Sequence, residues 1–208
     1  MEISAREALE RLRQGNERFV SEERSLEALS TRRRELAADQ RPFAIILGCS
    51  DSRVPAELVF DQGLGDLFVI RVAGNIVAPS QVGSVEFAAD QFGTTLVVVL
   101  GHSRCGAILA TIDELRNRGN RSPNIQSIVN RIRPAIESVV QANQGEDEDR
   151  LTEEAVRANV RASANQLRHD SELLQQLIRN GGLLVVGAEY SLESGEVDFF
   201  DIPDLDVE

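Results

Sequence analysis

Two continuous apolar runs, each closed by glycine and followed at once by polar residues, most strongly constrain the fold of this chain. The first run is Phe43 to Gly48 and the second is Leu96 to Gly101. Runs of this length, rich in Ile and Val, are typical of strands that are buried on both faces. Because ligands of open parallel sheets bind outside the carboxyl ends of such strands, we expect the chemistry at the residues that follow each run.

Length and charge exclude several classes of function. The 208 residues suffice for one domain with a substantial core. The net charge is −12, from 22 Lys and Arg against 34 Asp and Glu, which argues against nucleic acid or an anionic membrane as partner. No stretch approaches the roughly 18 to 20 apolar residues of a membrane span, and no apolar signal segment follows the N-terminus. We therefore expect a cytoplasmic protein whose cysteines are reduced.

The alternation of apolar and turn residues predicts an α/β fold with a mainly parallel sheet and no internal repeat. Strands are expected at 43–48, 66–72, 95–100 and 183–188, and an antiparallel edge strand at 196–200. Helices are expected near 55–60, 80–92, 104–118, 123–142 and 152–180, the last broken near Asp170. The acidic tract at 145–149 is predicted as a solvated connector.

Two helices are predicted before the first strand. Ser4 and Glu7 form a capping box ahead of apolar residues at helical spacing. The second helix is expected over 26–38. Neither helix has a wide apolar face, and such arms often pack on another subunit, although packing on the chain's own sheet is more common.

The residues after the two apolar runs form a candidate metal site. Cys49 follows the first run, while His102 and Cys105 follow the second at a predicted strand-to-helix turn. Zinc favours thiolate and imidazole ligands, and catalytic zinc keeps three protein ligands with an open fourth position. If Ser103 caps the next helix, the positive end of that helix favours the thiolate form of Cys105.

Simpler interpretations remain open for each residue alone. A cysteine after a buried strand is often a small core residue, and a histidine near a helix start is often a capping or packing residue. A closed structural zinc site would need a fourth ligand, for which only His169 remains; we interpret His169 as a surface or interface residue. Asp51 and Arg53 could form an ordinary loop ion pair, which stabilises little when exposed.

Taken together, these motifs resemble the β-class carbonic anhydrases. Cys-x-Asp-x-Arg at 49–53 and His-x-x-Cys-Gly at 102–106 each follow a predicted buried strand. The resemblance covers nearly the whole chain as a single domain, with 1–39 as an N-terminal helical arm and 40–200 as the α/β core. Further stretches that carry it are Gln40–Phe43, Val54–Pro55, Phe68–Asn75, Gly83–Phe87 and Gly187–Val197.

The absence of tryptophan bears on the subgroup. A bicarbonate-regulated subgroup is similar but has tryptophan at the position of Ile46, with a partner arginine and tyrosine. This chain has no Trp, and although Arg71 and Tyr190 are present, both could be structural. The resemblance therefore favours the plant-like subgroup that lacks this effector site.

The resemblance implies a role for each matching residue at the metal. Cys49, His102 and Cys105 match the ligands of one zinc ion per chain. Asp51 and Arg53 match a catalytic dyad, in which the arginine holds the carboxylate and the aspartate accepts a proton-bearing hydrogen bond from zinc-bound solvent. Released from the arginine, Asp51 is a possible fourth ligand in a closed state.

Other residues match the substrate site of the same family. Gln40 matches a glutamine that polarises substrate across a dimer interface, although from sequence alone it could equally be a surface residue. Phe68, Ala73 and Phe87 match positions that line the apolar pocket for carbon dioxide. The resemblance also implies a homodimer or tetramer, with the N-terminal helices embracing a neighbour.

The activity implied is reversible hydration of carbon dioxide to bicarbonate and a proton through zinc-bound hydroxide. Hydrolysis of carbonyl sulfide or carbon disulfide is an alternative on the same site, because these substrates are also linear and apolar. A second alternative is a non-catalytic zinc-binding regulatory protein. Asp51, Arg53 and Gln40 argue against it, since a purely structural metal has no need of them.

Overall fold

A five-stranded sheet with helices on both faces forms the centre of the molecule. The computed structural model describes residues 3–23, 36–117, 121–143, 145 and 147–203. The sheet has the order β2-β1-β3-β4-β5, in which the first four strands are parallel and β5 is antiparallel to β4. The predicted α/β fold, with four parallel strands and an antiparallel edge strand, is confirmed. The strands are β1 (Ala44–Gly48), β2 (Leu67–Arg71), β3 (Leu96–His102), β4 (Leu184–Tyr190) and β5 (Val197–Asp201).

Helices follow most of the strands. The second N-terminal helix predicted over 26–38 falls largely outside the described residues, and of that range only 36–38 are described, as turns. Within the described part of the chain, none of the helices combines the length and apolar character needed to cross a membrane. The described helices are α1 (Ala5–Val20), α2 (Ala56–Val59), α3 (Pro79–Phe92), α4 (Gly106–Asn117), α5 (Pro123–Ala142), α6 (Glu148–His169) and α7 (Glu172–Arg179), with a 3₁₀ helix at Ala73–Asn75.

The acidic tract differs from its prediction. Asp147 caps α6 by accepting the backbone N–H of Asp149 at 3.1 Å, and Glu148 begins the helix. The expectation of a solvated connector over 145–149 was therefore wrong from Asp147 onward. The physical reason is that negative side chains are stabilised by the partial positive charge of a helix N-terminus. The predicted break near Asp170 is confirmed, because Ser171 caps α7.

Helix α1 packs on the chain's own sheet. The predicted capping box is present: Ser4 Oγ accepts the N–H of Glu7 at 3.2 Å, and the Glu7 carboxylate accepts the N–H of Ser4 at 2.8 Å. The apolar face of the helix, with Leu9 and Leu12, is buried in the same core cluster as side chains from β1, β3 and β4. Of the two outcomes considered for this arm, the structure shows packing within the chain.

Strand order places the ends of β1 and β3 at a crevice. The chain leaves β1 for β2 on one side and returns to β3 on the other, so the connections diverge at this point. Such a switch point opens a crevice outside the carboxyl ends of the two strands. Gly48 and Leu100 are register partners at these ends, and both strands are buried along their length. The segments 49–53 and 102–106 therefore meet at the crevice.

Candidate metal centre

The structure brings the three predicted metal ligands together. The ligand atoms of Cys49, His102 and Cys105 all lie within 4.8 Å of one another, and the two sulfur atoms are 4.0 Å apart. These residues are 6%, 0% and 1% exposed, respectively. His169 is exposed on α6, where its Nδ1 lies 2.7 Å from the carbonyl oxygen of Asn165. It is a surface residue, as interpreted from the sequence.

The tautomer of His102 is determined by its neighbour. Nδ1 lies 2.9 Å from the carbonyl oxygen of Ser103, which can only accept, so Nδ1 carries the proton and donates. Nε2 therefore presents a lone pair, is buried, and has no hydrogen-bond partner within the described residues. An unpaired buried acceptor costs about 1–3 kcal/mol. A metal ion held with two sulfurs would satisfy it, so this donor set fits zinc.

Cys105 itself occupies the start of helix α4. Ser103, which the sequence offered only conditionally as the cap of this helix, has another partner: its Oγ accepts the N–H of Leu192 at 3.0 Å. The backbone groups of Ile108 and Ala107 hydrogen-bond to the Cys105 sulfur and favour its thiolate form. The helix therefore acts on the ligand directly. A thiolate at a helix N-terminus is also stabilised by the helix dipole.

The two thiols lie close enough for each to change the pKa of the other. The hydrogen bond with Cys105 lowers the pKa of Cys49 to about 4. The same contact and burial raise the pKa of Cys105. The pair thus loses its first proton easily and holds the second. A cation between the two sulfurs would release that second proton, because thiolate is the metal-binding form.

The 3₁₀ helix supports Cys49 from the side. The backbone N–H of Gly74 donates to Cys49 Sγ at 3.4 Å. Gly74 has φ +70°, and a Cβ there would lie 2.8 Å from Ile132 Cδ1, so only glycine allows this close approach. The Asn159 amide donates to the Gly74 carbonyl at 2.9 Å and holds the turn. Ala73, predicted as a pocket residue, precedes Gly74 in this 3₁₀ helix.

Asp51 and Arg53 form the bidentate pair that the sequence predicts. Arg53 Nε donates to Asp51 Oδ1 at 2.9 Å, and Nη2 donates to Oδ2 at 2.8 Å. The backbone N–H of Arg53 adds a third bond, to Oδ1 at 3.0 Å. These bonds from Arg53 hold the pKa of the Asp51 carboxyl far below its usual range. Oδ2 lies 3.9 Å from His102 Nε2, so the carboxylate borders the metal centre while Arg53 holds it.

From the sequence, Arg71 was named only as a match to the partner arginine of the effector site in the bicarbonate-regulated subgroup, with a structural role left open. Its guanidinium donates to the carbonyl oxygens of Cys49 and Asp51, at 3.0 and 2.6 Å. The contact depends on β2 lying beside β1, and the apolar patterns do not reveal strand order. The sequence match to that arginine did not indicate these two contacts.

Three predicted substrate residues lie at the other end of β1. Gln40 precedes the strand and is exposed. Phe68 pairs with Ile45 near the start of β1, and its ring is 6.3 Å from that of Phe87, which is 53% exposed. Strands rise by about 3.3 Å per residue, so the length of β1 separates this group from Cys49. One chain does not bring Gln40, Phe68 or Phe87 to its own metal centre.

Comparison with known proteins identifies the family. A family model described as carbonic anhydrase matches residues 44–197. The chain belongs to the β-carbonic anhydrase family. Carbonic anhydrase 2 of Mycobacterium tuberculosis is 36% identical over 185 residues, covering 88% of this chain and 87% of that protein. A carbonic anhydrase of Mycolicibacterium smegmatis is 37% identical, covering 90% and 89%.

Solved structures of the family share the fold. The β-carbonic anhydrase CcaA matches with a TM-score of 0.74 and 26% identity, covering 94% of this chain and 92% of that one. One of two tetrameric β-carbonic anhydrases of Sordaria macrospora matches with a TM-score of 0.73 and 23% identity, covering 80% and 84%. The resemblance predicted from the sequence is confirmed, and the chain is an enzyme of the carbonic anhydrase class.

Proposed function

We propose that this enzyme reversibly hydrates carbon dioxide to bicarbonate and a proton, using one zinc ion per chain. The observation that carries the proposal is the buried cluster of Cys49, His102 and Cys105 beside the Asp51–Arg53 pair. Three protein ligands leave the fourth position of a tetrahedral zinc ion open. When bound, zinc supplies Lewis acidity, which allows water to release a proton near neutral pH.

Asp51 acts as a permanent hydrogen-bond acceptor. Since Arg53 holds the pKa of its carboxyl far below the usual range, Asp51 remains a carboxylate at neutral pH. Oδ1 already accepts two donors from Arg53, whereas Oδ2 accepts one and faces His102. Oδ2 is therefore the atom that accepts a hydrogen bond from solvent in the crevice and orients that solvent toward the substrate.

Arg53 also keeps Asp51 from becoming a fourth ligand. A carboxylate released from its partner could rotate into the open coordination position, which would exclude solvent and close the site. The planar guanidinium holds both carboxylate oxygens at once, which a lysine cannot do.

A second copy of the chain completes the site in this proposal. Gln40, Phe68 and Phe87 share one end of the molecule, and Phe68 lies on the edge strand β2. A dimer that placed this end against the crevice of its partner would add a glutamine and an apolar wall to Ala73. A homodimer or tetramer is consistent with the tetrameric relatives of Sordaria macrospora. A cytoplasmic location remains part of the proposal, because thiol ligands need a reducing compartment.

A stopped-flow assay with a pH indicator tests the activity. Zinc-loaded protein should accelerate the hydration of carbon dioxide, and metal analysis should find one zinc per chain. Parallel assays with carbonyl sulfide and carbon disulfide test the alternative substrates. Folded, zinc-loaded protein that accelerates none of these reactions would instead support the non-catalytic alternative.

A further inference from the structure

Arg71 crosses from the edge strand to the segment that carries both a ligand and the dyad carboxylate. It is the last residue of β2 and the register partner of Gly48, which immediately precedes Cys49. Nε donates to the Cys49 carbonyl at 3.0 Å, and Nη2 donates to the Asp51 carbonyl at 2.6 Å. One guanidinium therefore holds both ends of residues 49–51.

The contacts of Arg71 lie just beyond the last backbone hydrogen bond between β1 and β2. The N–H of Val72 donates to the Gly48 carbonyl at 3.1 Å, and the β1–β2 pairing ends there. Beyond it, the side chain of Arg71 supplies the donors that the strand backbone no longer provides. The segment is thereby held as an extension of the sheet.

The charge of Arg71 is directed at these carbonyl oxygens. Across the described ranges of the chain, the guanidinium forms no ion pair, in contrast to Arg53, which binds the Asp51 carboxylate. Hydrogen bonds from a charged donor are about twice as strong as neutral ones. The two arginines therefore act on Asp51 differently: Arg53 holds its carboxylate, and Arg71 holds its backbone.

We propose that Arg71 is a positioning residue of the metal centre. By fixing the two carbonyls, it directs Cys49 Sγ toward the metal and Asp51 Oδ2 toward the open coordination position. It touches neither the substrate nor the metal. The role deepens the proposed function and rests on it. Two N–H donors of the rigid, planar guanidinium reach the two carbonyl oxygens at once. The single ammonium group of a lysine does not reproduce this arrangement.

The test compares Arg71→Met and Arg71→Lys with a matched control, Arg179→Met. Arg179 is exposed on α7 and contacts Gln175 of the same helix at 3.3 Å. Zinc affinity is measured by chelator competition, the ligand geometry by visible absorption of the cobalt-substituted protein, and kcat and KM by carbon dioxide hydration. Both Arg71 variants should lose about 10- to 100-fold in kcat, as is typical for outer partners of metal ligands. Their cobalt spectra should change, KM should be unchanged, and the control should match the wild type.

A purely structural role for Arg71 gives a different result. The variants would then unfold at lower temperature, yet keep the wild-type kcat per bound zinc and the wild-type cobalt spectrum. That outcome, or full recovery of both readouts in Arg71→Lys, overturns the proposal. If the wild type itself does not hydrate carbon dioxide, the proposed function fails. The cobalt spectra and zinc affinities still decide whether Arg71 positions the ligands.

Discussion

At the metal centre, single hydrogen bonds decide which atom of a side chain faces the crevice. The Ser103 carbonyl engages Nδ1 of His102 and leaves Nε2 toward the sulfurs. Arg53 places two donors on Oδ1 of Asp51 and one on Oδ2. Neighbours in the same two loops therefore select the atoms that face the crevice, while Arg71 of β2 holds the backbone of one loop.

Removal of the Arg53 side chain should separate metal binding from activity. Arg53→Ala leaves all three ligands intact, so zinc content should equal that of the wild type. Freed Asp51 can then occupy the fourth coordination position, and activity should fall about 10- to 100-fold. Elemental analysis measures the zinc content, and carbon dioxide hydration measures the activity. Ser52→Ala, at an exposed neighbouring position, is the control. Full activity in Arg53→Ala would show that the pair is only a loop ion pair.

Removal of one metal ligand should lower both the zinc content and the stability of the whole protein. Cys49→Ser should lose stoichiometric zinc, because a hydroxyl is a poor substitute for a thiolate at such a site. Binding to the native state alone contributes about 2.7 kcal/mol when free zinc is a hundred times its Kd. The variant should lose this zinc-dependent stabilisation in denaturant titrations, whereas Ser50→Ala should retain it. One equivalent of zinc in Cys49→Ser would remove this residue from the ligand set.

At the scale of elements, helix starts were harder to predict than strands. The apolar runs predict strands well, since burial on both faces leaves a continuous pattern at 44–48 and 96–100. Helix starts depend on single hydrogen bonds, and residues that suit a cap also suit a loop. The acidic tract was therefore predicted as a connector although Asp147 caps α6, and Ser103 was considered as the cap of α4 although the backbone of that helix hydrogen-bonds to Cys105.

The capping box of α1 should make stability depend on acid pH. Hydrogen bonds from the backbone and the hydroxyl of Ser4 lower the pKa of Glu7 below its unfolded value. The stabilisation is thus fully present above the unfolded pKa of about 4.3 and is lost as the pH falls through the lower folded pKa. Glu7→Gln keeps the shape of the box without the charge. Its unfolding free energy, from urea titrations between about pH 3 and 6, should fall less steeply on acidification than that of the wild type. Equal slopes would contradict this prediction.

At the scale of the whole molecule, sequence predicted the residues of the site better than their arrangement. The metal ligands could be named because two thiols and an imidazole follow buried strands, and the dyad because its motif resembles that of the β-class carbonic anhydrases. The role of Arg71 could not, since it depends on the position of β2 beside β1. Nor does one chain show how Gln40 would reach a metal centre from the opposite end of β1, because that depends on a second copy.

Mixed oligomers test whether two chains share one site. A Gln40→Ala chain keeps its metal centre, and an Arg53→Ala chain keeps its glutamine. In a mixed dimer, one of the two sites would contain every wild-type residue, so about half of the wild-type activity should return. Each variant alone should be weakly active. Differential tags verify that mixed dimers have formed. If these dimers are no more active than the separate variants, Gln40 lies outside the partner's site.

The ligand atoms lie at the carboxyl ends of the two central strands, β1 and β3, and each ligand residue is at most 6% exposed. A chelator in the surrounding water would therefore meet a bound ion only at its open fourth position. Release of the ion would also require the three buried ligands to let go of it. The rate at which zinc leaves would then report how often this buried ligand cluster opens. Tight retention of zinc would therefore reflect slow kinetics as much as strong affinity.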